Sequence, residues 1–153
     1  FDSPGTHEIT LGEELGFLER YIHLQRIRFP DRLEVVWQIA DETRNALVPA
    51  LLVQPLVENA LEHGLTTARG GRVRVAARRD HEALELEVAD DGPGFGGAAG
   101  GREGGLGLAN TRERLGLLYG ASGVLTCGDL PDGGGVVRIR IPWRAAGAAG
   151  ARA

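Results

Sequence analysis

The stretch Pro55-Leu56-Val57-Glu58-Asn59-Ala60-Leu61-Glu62-His63-Gly64 decides how this chain is read. Proline suits the first turn of a helix, where its missing N–H is not needed, and glycine is a natural stop. At 100° per residue, Asn59, Glu62 and His63 fall within one arc while Leu56, Val57, Ala60 and Leu61 face away from it. One side of this helix therefore belongs to a core, and the other offers an amide, a carboxylate and an imidazole. A polar face is what any surface helix carries, so the stripe takes its meaning from what accompanies it.

Two further segments accompany it. Asp90-Asp91-Gly92-Pro93-Gly94-Phe95 closes an alternating strand with a carboxylate, and its glycines leave room for a planar ligand to approach the backbone. Taken alone it is also an ordinary Asp-Gly turn. Gly104-Gly105-Leu106-Gly107-Leu108-Ala109-Asn110 runs into a helix, where backbone N–H groups and the helix dipole favour phosphate. Arg102, Arg112 and Arg114 are close enough in sequence to add charge. Gly92, Gly94 and Gly97 also fit G-x-G-x-x-G, but residues 98–105 are too rich in glycine to open the helix which that motif requires. Jointly, an amide oxygen for a hard divalent cation, a carboxylate for the exocyclic amine of adenine and a cradle for phosphates make a candidate site for ATP and Mg2+.

Composition narrows the alternatives. With 153 residues, 42% of them hydrophobic, the chain is long enough for one domain around a single core. A net charge of -4 gives no support to nucleic-acid binding. No stretch approaches the roughly 18 apolar residues of a membrane span. All 17 basic residues are arginine, which excludes a P-loop and a Ser/Thr/Tyr-type kinase lobe, because each needs a lysine on its nucleotide. The single cysteine, Cys127, allows no intrachain disulfide, and its apolar surroundings point to buried packing. Beginning at Phe1, with no methionine and no signal peptide, the sequence is expected to be a fragment of a longer protein.

Periodicity supplies the remaining elements. Thr10 and Glu13 form a capping box for a helix over 11–28, with Leu11, Leu15, Leu18 and Ile22 at helical spacing. Residues 33–39 alternate as a strand, and 49–54 form a separate first turn before the helix that begins at Pro55. Arg72–Ala76 and Leu84–Val88 read as an antiparallel hairpin, 111–119 as a short helix, and 123–127 and 136–141 as the last two strands. The glycine-rich segment 96–104 is expected to be a mobile lid. This order favours an α/β (α+β) two-layer sandwich, with helices on one face of a mixed, mostly antiparallel sheet. Residues 1–10 are expected to be a linker remnant, 11–143 the domain and 144–153 a disordered tail.

In this order the three segments resemble the N, G1 and G2 boxes of the GHKL ATPases, and the chain is similar to the ATP-binding catalytic domain of a sensor histidine kinase, of the Bergerat fold. Arg28-Phe29, Arg32-Leu33, Gln54–Ala60 with His63-Gly64, and Asn110-Thr111-Arg112-Glu113-Arg114-Leu115 with Tyr119-Gly120 resemble the LytS-like kinases. The resemblance runs from about Leu11 to Pro142. It implies Asn59 as the Mg2+ ligand, Asp90 as the adenine contact and Gly92 and Gly94 as base-pocket glycines. It also implies Gly105, Leu106, Gly107 and Leu108 as the phosphate loop, with His63 and Arg114 lining the nucleotide, and Glu58 as an acid that assists proton removal from the acceptor. The implied partners are a histidine-bearing dimerisation segment of the same protein and a response regulator, of LytTR type, in a membrane-anchored homodimer whose catalytic domain is cytoplasmic.

The chain departs from the family at three points. Relatives commonly carry lysine where this chain has Glu62, and a carboxylate near phosphates repels them. The last Gly-rich box commonly ends Gly-Thr, whereas here it is Gly134-Gly135. The phosphoacceptor histidine of the family lies in a helix that is not in this sequence, and His7, His23, His63 and His81 all lack its context. Three readings therefore stand side by side: the donor half of a histidine kinase, a non-catalytic nucleotide-binding regulatory module, and another GHKL ATPase or an anti-sigma-factor-type serine kinase.

Overall fold

The computed structural model describes residues 7–64, 71–95 and 105–146. The chain starts with strand β1 (Glu8–Thr10), which pairs antiparallel with β3 (Leu47–Pro49). Helix α1 (Leu11–Arg28) follows directly, and the capping box is formed: Thr10 Oγ1 accepts the Glu13 N–H at 3.1 Å, while Glu13 Oε1 accepts the Thr10 N–H at 2.9 Å. The spacing-predicted residues Leu11, Leu15, Leu18 and Ile22 are all buried, and so is Glu14, on which no apolar pattern reports.

Strands β2 (Glu34–Ile39), β4 (Arg72–Asp80), β5 (Ala83–Asp90), β6 (Val124–Asp129) and β7 (Gly135–Pro142) form one sheet in the order β2-β4-β5-β7-β6. The β2–β4 pair is parallel and the other pairs are antiparallel, as expected of a mixed sheet. Alternation divides the sheet into two chemistries. On one face Val73, Val75, Ala77, Leu84, Leu86, Val88, Val137, Ile139 and Ile141 join the core, where helices α2 (Gln54–Gly64) and α3 (Gly105–Tyr119) pack on the sheet and on each other. On the other face arginines and glutamates interlace across strands. Arg74 and Arg138 pair with Glu87 at 2.6 and 2.8 Å, and Arg78 and Arg140 pair with Glu85. Opposite charges set across neighbouring strands hold the register and keep this face wet.

Several boundaries differ from the sequence expectation, each for a physical reason. The folded unit takes in Glu8–Thr10 and continues past Trp143, because β1 finds β3, Ala145 bridges to Ala46, and Arg144 pairs with Glu8 at 2.8 Å. Of the first turn expected over 49–54, Pro49 ends strand β3, residues 50–53 are a non-helical turn, and α2 begins at Gln54, one residue before Pro55. Helix α3 starts at Gly105 instead of Thr111. Its first turn has poor intrinsic propensity, but burial of Leu108 and the Thr111 Oγ1–Gly107 carbonyl bond at 2.9 Å draw it into the helix. Cys127 is exposed, not core: β6 is an edge strand, and an apolar run does not distinguish an edge from a central position. The expected lid at 96–104, and 147–153 of the expected tail, lie outside the described residues.

Two half-buried phenols give the fold a pH dependence. Burial pushes both Tyr21 and Tyr119 above the ordinary value of 10.0, and for Tyr21 the Glu58 carboxylate adds to the shift. A group whose folded pKa is raised contributes stability that is complete below its unfolded pKa and is lost as pH rises through the folded one. Stability therefore declines as pH climbs through and beyond 10.0. Urea titrations on that alkaline limb should show the decline, and it should flatten in the Tyr21→Phe, Tyr119→Phe double variant.

Candidate functional site

The site is assembled where the C-terminal end of β5 meets the last turns of α2. Asp90 shares the parity of Leu84, Leu86 and Val88, so its side chain enters the helix-covered side of the sheet, where it is only 3% exposed. Its Oδ1 accepts the Gly92 N–H at 2.8 Å, which folds the chain back immediately after the strand. A carboxylate has about four acceptor sites, so this bond does not exhaust it. Directly above, a Cβ built on Gly92 would come within 3.1 Å of the His63 carbonyl oxygen and 2.9 Å of Asp90 Oδ1. The absent side chain is what allows the turn after β5 to lie against the end of α2.

Along α2, one helical turn before His63, sits Asn59, half-buried, with its Oδ1 removed from solvent. His63 Nδ1 lies 3.1 Å from the Asn59 carbonyl oxygen. A carbonyl only accepts, so Nδ1 carries the proton and Nε2 is the acceptor nitrogen of the neutral ring. Asn59, His63 and Asp90 are thus brought to one end of the molecule. Glu58 and Glu62 are not part of this cluster. Both are exposed, Gln54 Nε2 donates to Glu58 at 3.2 Å, and both carboxylates act on Tyr21 of α1. The polar arc expected from the helical wheel is therefore divided: the two carboxylates act on Tyr21 of α1, while the end of α2 that carries His63 lies against the turn after β5.

Glycines and carboxylates from three directions hold the segment after β5. Asp91 Oδ1 accepts the N–H groups of Gly71 and Arg72 at 3.2 and 3.3 Å, tying it to the start of β4. Asp129, at the end of β6, accepts the Phe95 N–H at 2.5 Å, and a Cβ on Gly94, whose φ is +85°, would lie 2.7 Å from the same carboxylate oxygen. Gly134 is under the tightest constraint. Its φ is +104°, and a Cβ there would meet the Asp90 carbonyl oxygen at 2.0 Å. In the sequence Gly134-Gly135 stands out only as a departure from the family. Sequence reading missed Asp129 and Gly134 as supports of the Asp90 turn, since they come from a different strand pair.

The residues expected to wrap phosphates begin α3. Gly105, Leu106, Gly107 and Leu108 form its first turn, whose N–H groups lack partners within the helix. A Cβ on Gly107 would meet nothing within 4 Å. The Leu108 side chain belongs to the core, being 2% exposed, so only its backbone is available to a ligand. Arg114 sends Nη1 to the Leu51 carbonyl oxygen at 3.4 Å, which ties α3 to the turn before α2. Among the described residues no three or more His, Cys, Asp or Glu side chains cluster to hold a metal ion. A divalent cation beside Asn59 would take most of its ligands from phosphate and water, which is how Mg2+ is commonly bound.

Comparison with known proteins shows the family and the fold. The model of the family "Histidine kinase-, DNA gyrase B-, and HSP90-like ATPase" matches residues 45–145, and the chain belongs to that family. It is 36% identical over 141 residues to the sensor histidine kinase YesM of Bacillus subtilis, an alignment covering 89% of this chain and 24% of that protein. Against the sensor protein LytS of Staphylococcus haemolyticus the figures are 37% over 128 residues, 76% of this chain and 22% of the relative. The chain thus spans about a quarter of the length of these relatives. Among solved structures, the catalytic domain of histidine kinase ThkA superimposes with a TM-score of 0.68 at 16% identity, covering 89% of this chain and 95% of that one. A blue-light activated histidine kinase domain from Erythrobacter litoralis gives 0.63 at 28% identity, with 93% and 65% covered. The fold is that of histidine kinase catalytic domains, and no helix among the described residues is long and apolar enough to cross a membrane.

The glycine constraints are open to a direct check. Gly134→Ala should destabilise the domain by about 3 kcal/mol or more, because the new Cβ has backbone on one side and a left-handed φ behind it. Gly107→Ala, in an open helical position, should instead stabilise it by up to about 1 kcal/mol. Thermal or urea denaturation of the two variants compares them.

Proposed function

We propose that this domain is the ATP-binding, phosphate-donating half of a sensor histidine kinase. The observation that carries the reading is the seating of the Asp90–Gly92 turn under the His63 carbonyl, which sets an adenine-type acceptor beside the Asn59 helix. In this proposal the Asp90 carboxylate accepts the exocyclic N–H of adenine, and Gly92 and Gly94 leave the base its space. The first-turn N–H groups of α3, from Gly105 to Leu108, hold the phosphates. The Asn59 amide oxygen would hold Mg2+, which when bound would offset the charge of the phosphates.

The acceptor is a histidine on an upstream dimerisation segment of the same protein. Its ring nitrogen attacks the γ-phosphorus in line, and the bond to the β–γ bridging oxygen breaks, leaving ADP. Exposed Glu58, next to Asn59 on α2, is positioned to take the proton that the attacking imidazole sheds. His63 has its Nδ1 committed to the Asn59 carbonyl and lines the nucleotide rather than receiving phosphate. The full protein then relays the phosphate to a response regulator, of LytTR type, and acts as a membrane-anchored homodimer with this domain in the cytoplasm.

Calorimetry should find ATP and ADP bound in preference to GTP, because guanine presents a carbonyl where adenine presents an amine. Asp90→Ala should abolish that preference, and Asn59→Ala should remove most of the Mg2+ dependence. Equal affinity of the unaltered domain for ATP and GTP would overturn the role of Asp90.

Incubated with labelled ATP, this chain should remain unlabelled. Joined to its upstream segment, it should produce an acid-labile phosphohistidine there. Nucleotide binding without any transfer in the joined protein would instead favour the regulatory-module reading.

A further inference from the structure

Helix α2 begins without a cap of its own. Its first hydrogen bonds run from the N–H groups of Leu56 and Val57 to the carbonyl of Val53, at 3.0 and 3.1 Å, so the capping position is held by a side chain with no acceptor. The acceptor comes from another helix. Glu14 of α1, 1% exposed, receives the Leu51 N–H on Oε1 at 2.8 Å, and the Val53 and Gln54 N–H groups on Oε2 at 2.8 and 3.3 Å. The carbonyl of Leu51, a non-glycine residue at φ +61°, in turn accepts from Arg114 of α3. The turn before α2 is therefore clamped from α1 on its N–H side and from α3 on its carbonyl side.

We propose that Glu14 is a positioning residue for the nucleotide site, fixing the height and rotation of α2 and hence where Asn59 meets the phosphates presented by the first turn of α3. The inference rests on the reading of Asn59 as the Mg2+ ligand. Asn59 lies five residues beyond Gln54 on a short, stiff helix, so a shift of the α2 start is carried to the amide almost undiminished. A displacement on the order of 1 Å at such a ligand is enough to cost up to about a hundredfold in a positioned reaction. Asp90, by contrast, is set mainly by the sheet register and by Gly134; its turn meets α2 only through Gly92, against the His63 carbonyl at the far end of the helix, and none of these residues touches Glu14. Loss of the clamp should therefore separate the two halves of nucleotide recognition, weakening the phosphate–metal half and sparing the base half.

Glu14→Gln is the direct test, because the amide keeps the shape but turns an NH2 toward backbone donors. In calorimetry with Mg2+ and in excess chelator, the ratio of ATP affinities should fall about tenfold or more in the variant, while adenosine affinity stays within about twofold. Leu18→Ala, which hollows the same helix's core face but leaves the Glu14 carboxylate in place, serves as the control for general destabilisation and should keep the ratio. If Glu14→Gln does not fold, Glu14→Asp, whose carboxylate is one methylene short of the clamp, should show the same direction of change. A lowered melting temperature with an unchanged ratio would reduce Glu14 to a structural cap and overturn the proposal. A wild-type domain whose ATP binding ignores Mg2+ would overturn the reading of Asn59, and the positioning role with it. Equal losses for ATP and adenosine would show that the clamp acts on the whole pocket rather than on α2, and would also overturn it.

Discussion

The carboxylate of Glu14 is the contact on which the arrangement of the helices depends. Three backbone N–H groups at the start of α2 turn toward Glu14, the Val53 N–H buried and those of Leu51 and Gln54 partly so, and leaving a buried donor unpaired costs roughly 1–3 kcal/mol. An ionised carboxylate answers all three at once and also suits the positive end of the helix dipole. The same bonds compensate the carboxylate for its burial, since a charge in the core is tolerated only when it is paired or well hydrogen-bonded. With α1 held by its capping box at one end and spent as a cap for α2 in its first turns, the two helices have one relative placement instead of several.

Around that frame, the site is built from segments that are distant in sequence and adjacent in space. β5 delivers Asp90 to the helix side of the sheet. The β6–β7 hairpin supports the turn that follows through Asp129 and Gly134, and Asp91 anchors it to β4. Glycine is required where backbone meets backbone, at Gly92 under α2 and at Gly134 against Asp90, and is only a matter of propensity at Gly107, which faces open space. The outer face of the sheet plays a different part. There Glu85 and Glu87 each pair with two arginines from neighbouring strands, while the candidate site lies on the opposite, helix-bearing side.

A domain built this way suits phosphoryl transfer, in which a protein mostly positions groups and balances charge. The proposed adenine contact is set by sheet register, whereas the proposed metal ligand rides on a helix whose first turn is tied by a buried carboxylate. The proposed proton acceptor Glu58 and the family departure Glu62 look toward α1 and solvent. Both carboxylates act on Tyr21, Glu58 more strongly than Glu62.

By itself the sequence determined the helix over 11–28, its capping box and the alternating strands, and it singled out Asn59, Asp90 and the glycines as the candidate nucleotide-binding set. Each of these is written in local periodicity or in short-range spacing. Only the tertiary structure decided which half of the α2 polar arc faces the site, that α3 begins at Gly105, that Leu108 is core, and that Cys127 is exposed on an edge strand. It alone revealed Glu14, Asp129 and Gly134, because each acts on a partner at least 34 residues away or on a different strand. Local patterns record which residues a helix or strand wants to bury. They carry no record of which distant backbone donor a lone carboxylate will satisfy, or which distant carbonyl a missing Cβ makes room for, since those depend on the packing of elements that the pattern describes one at a time.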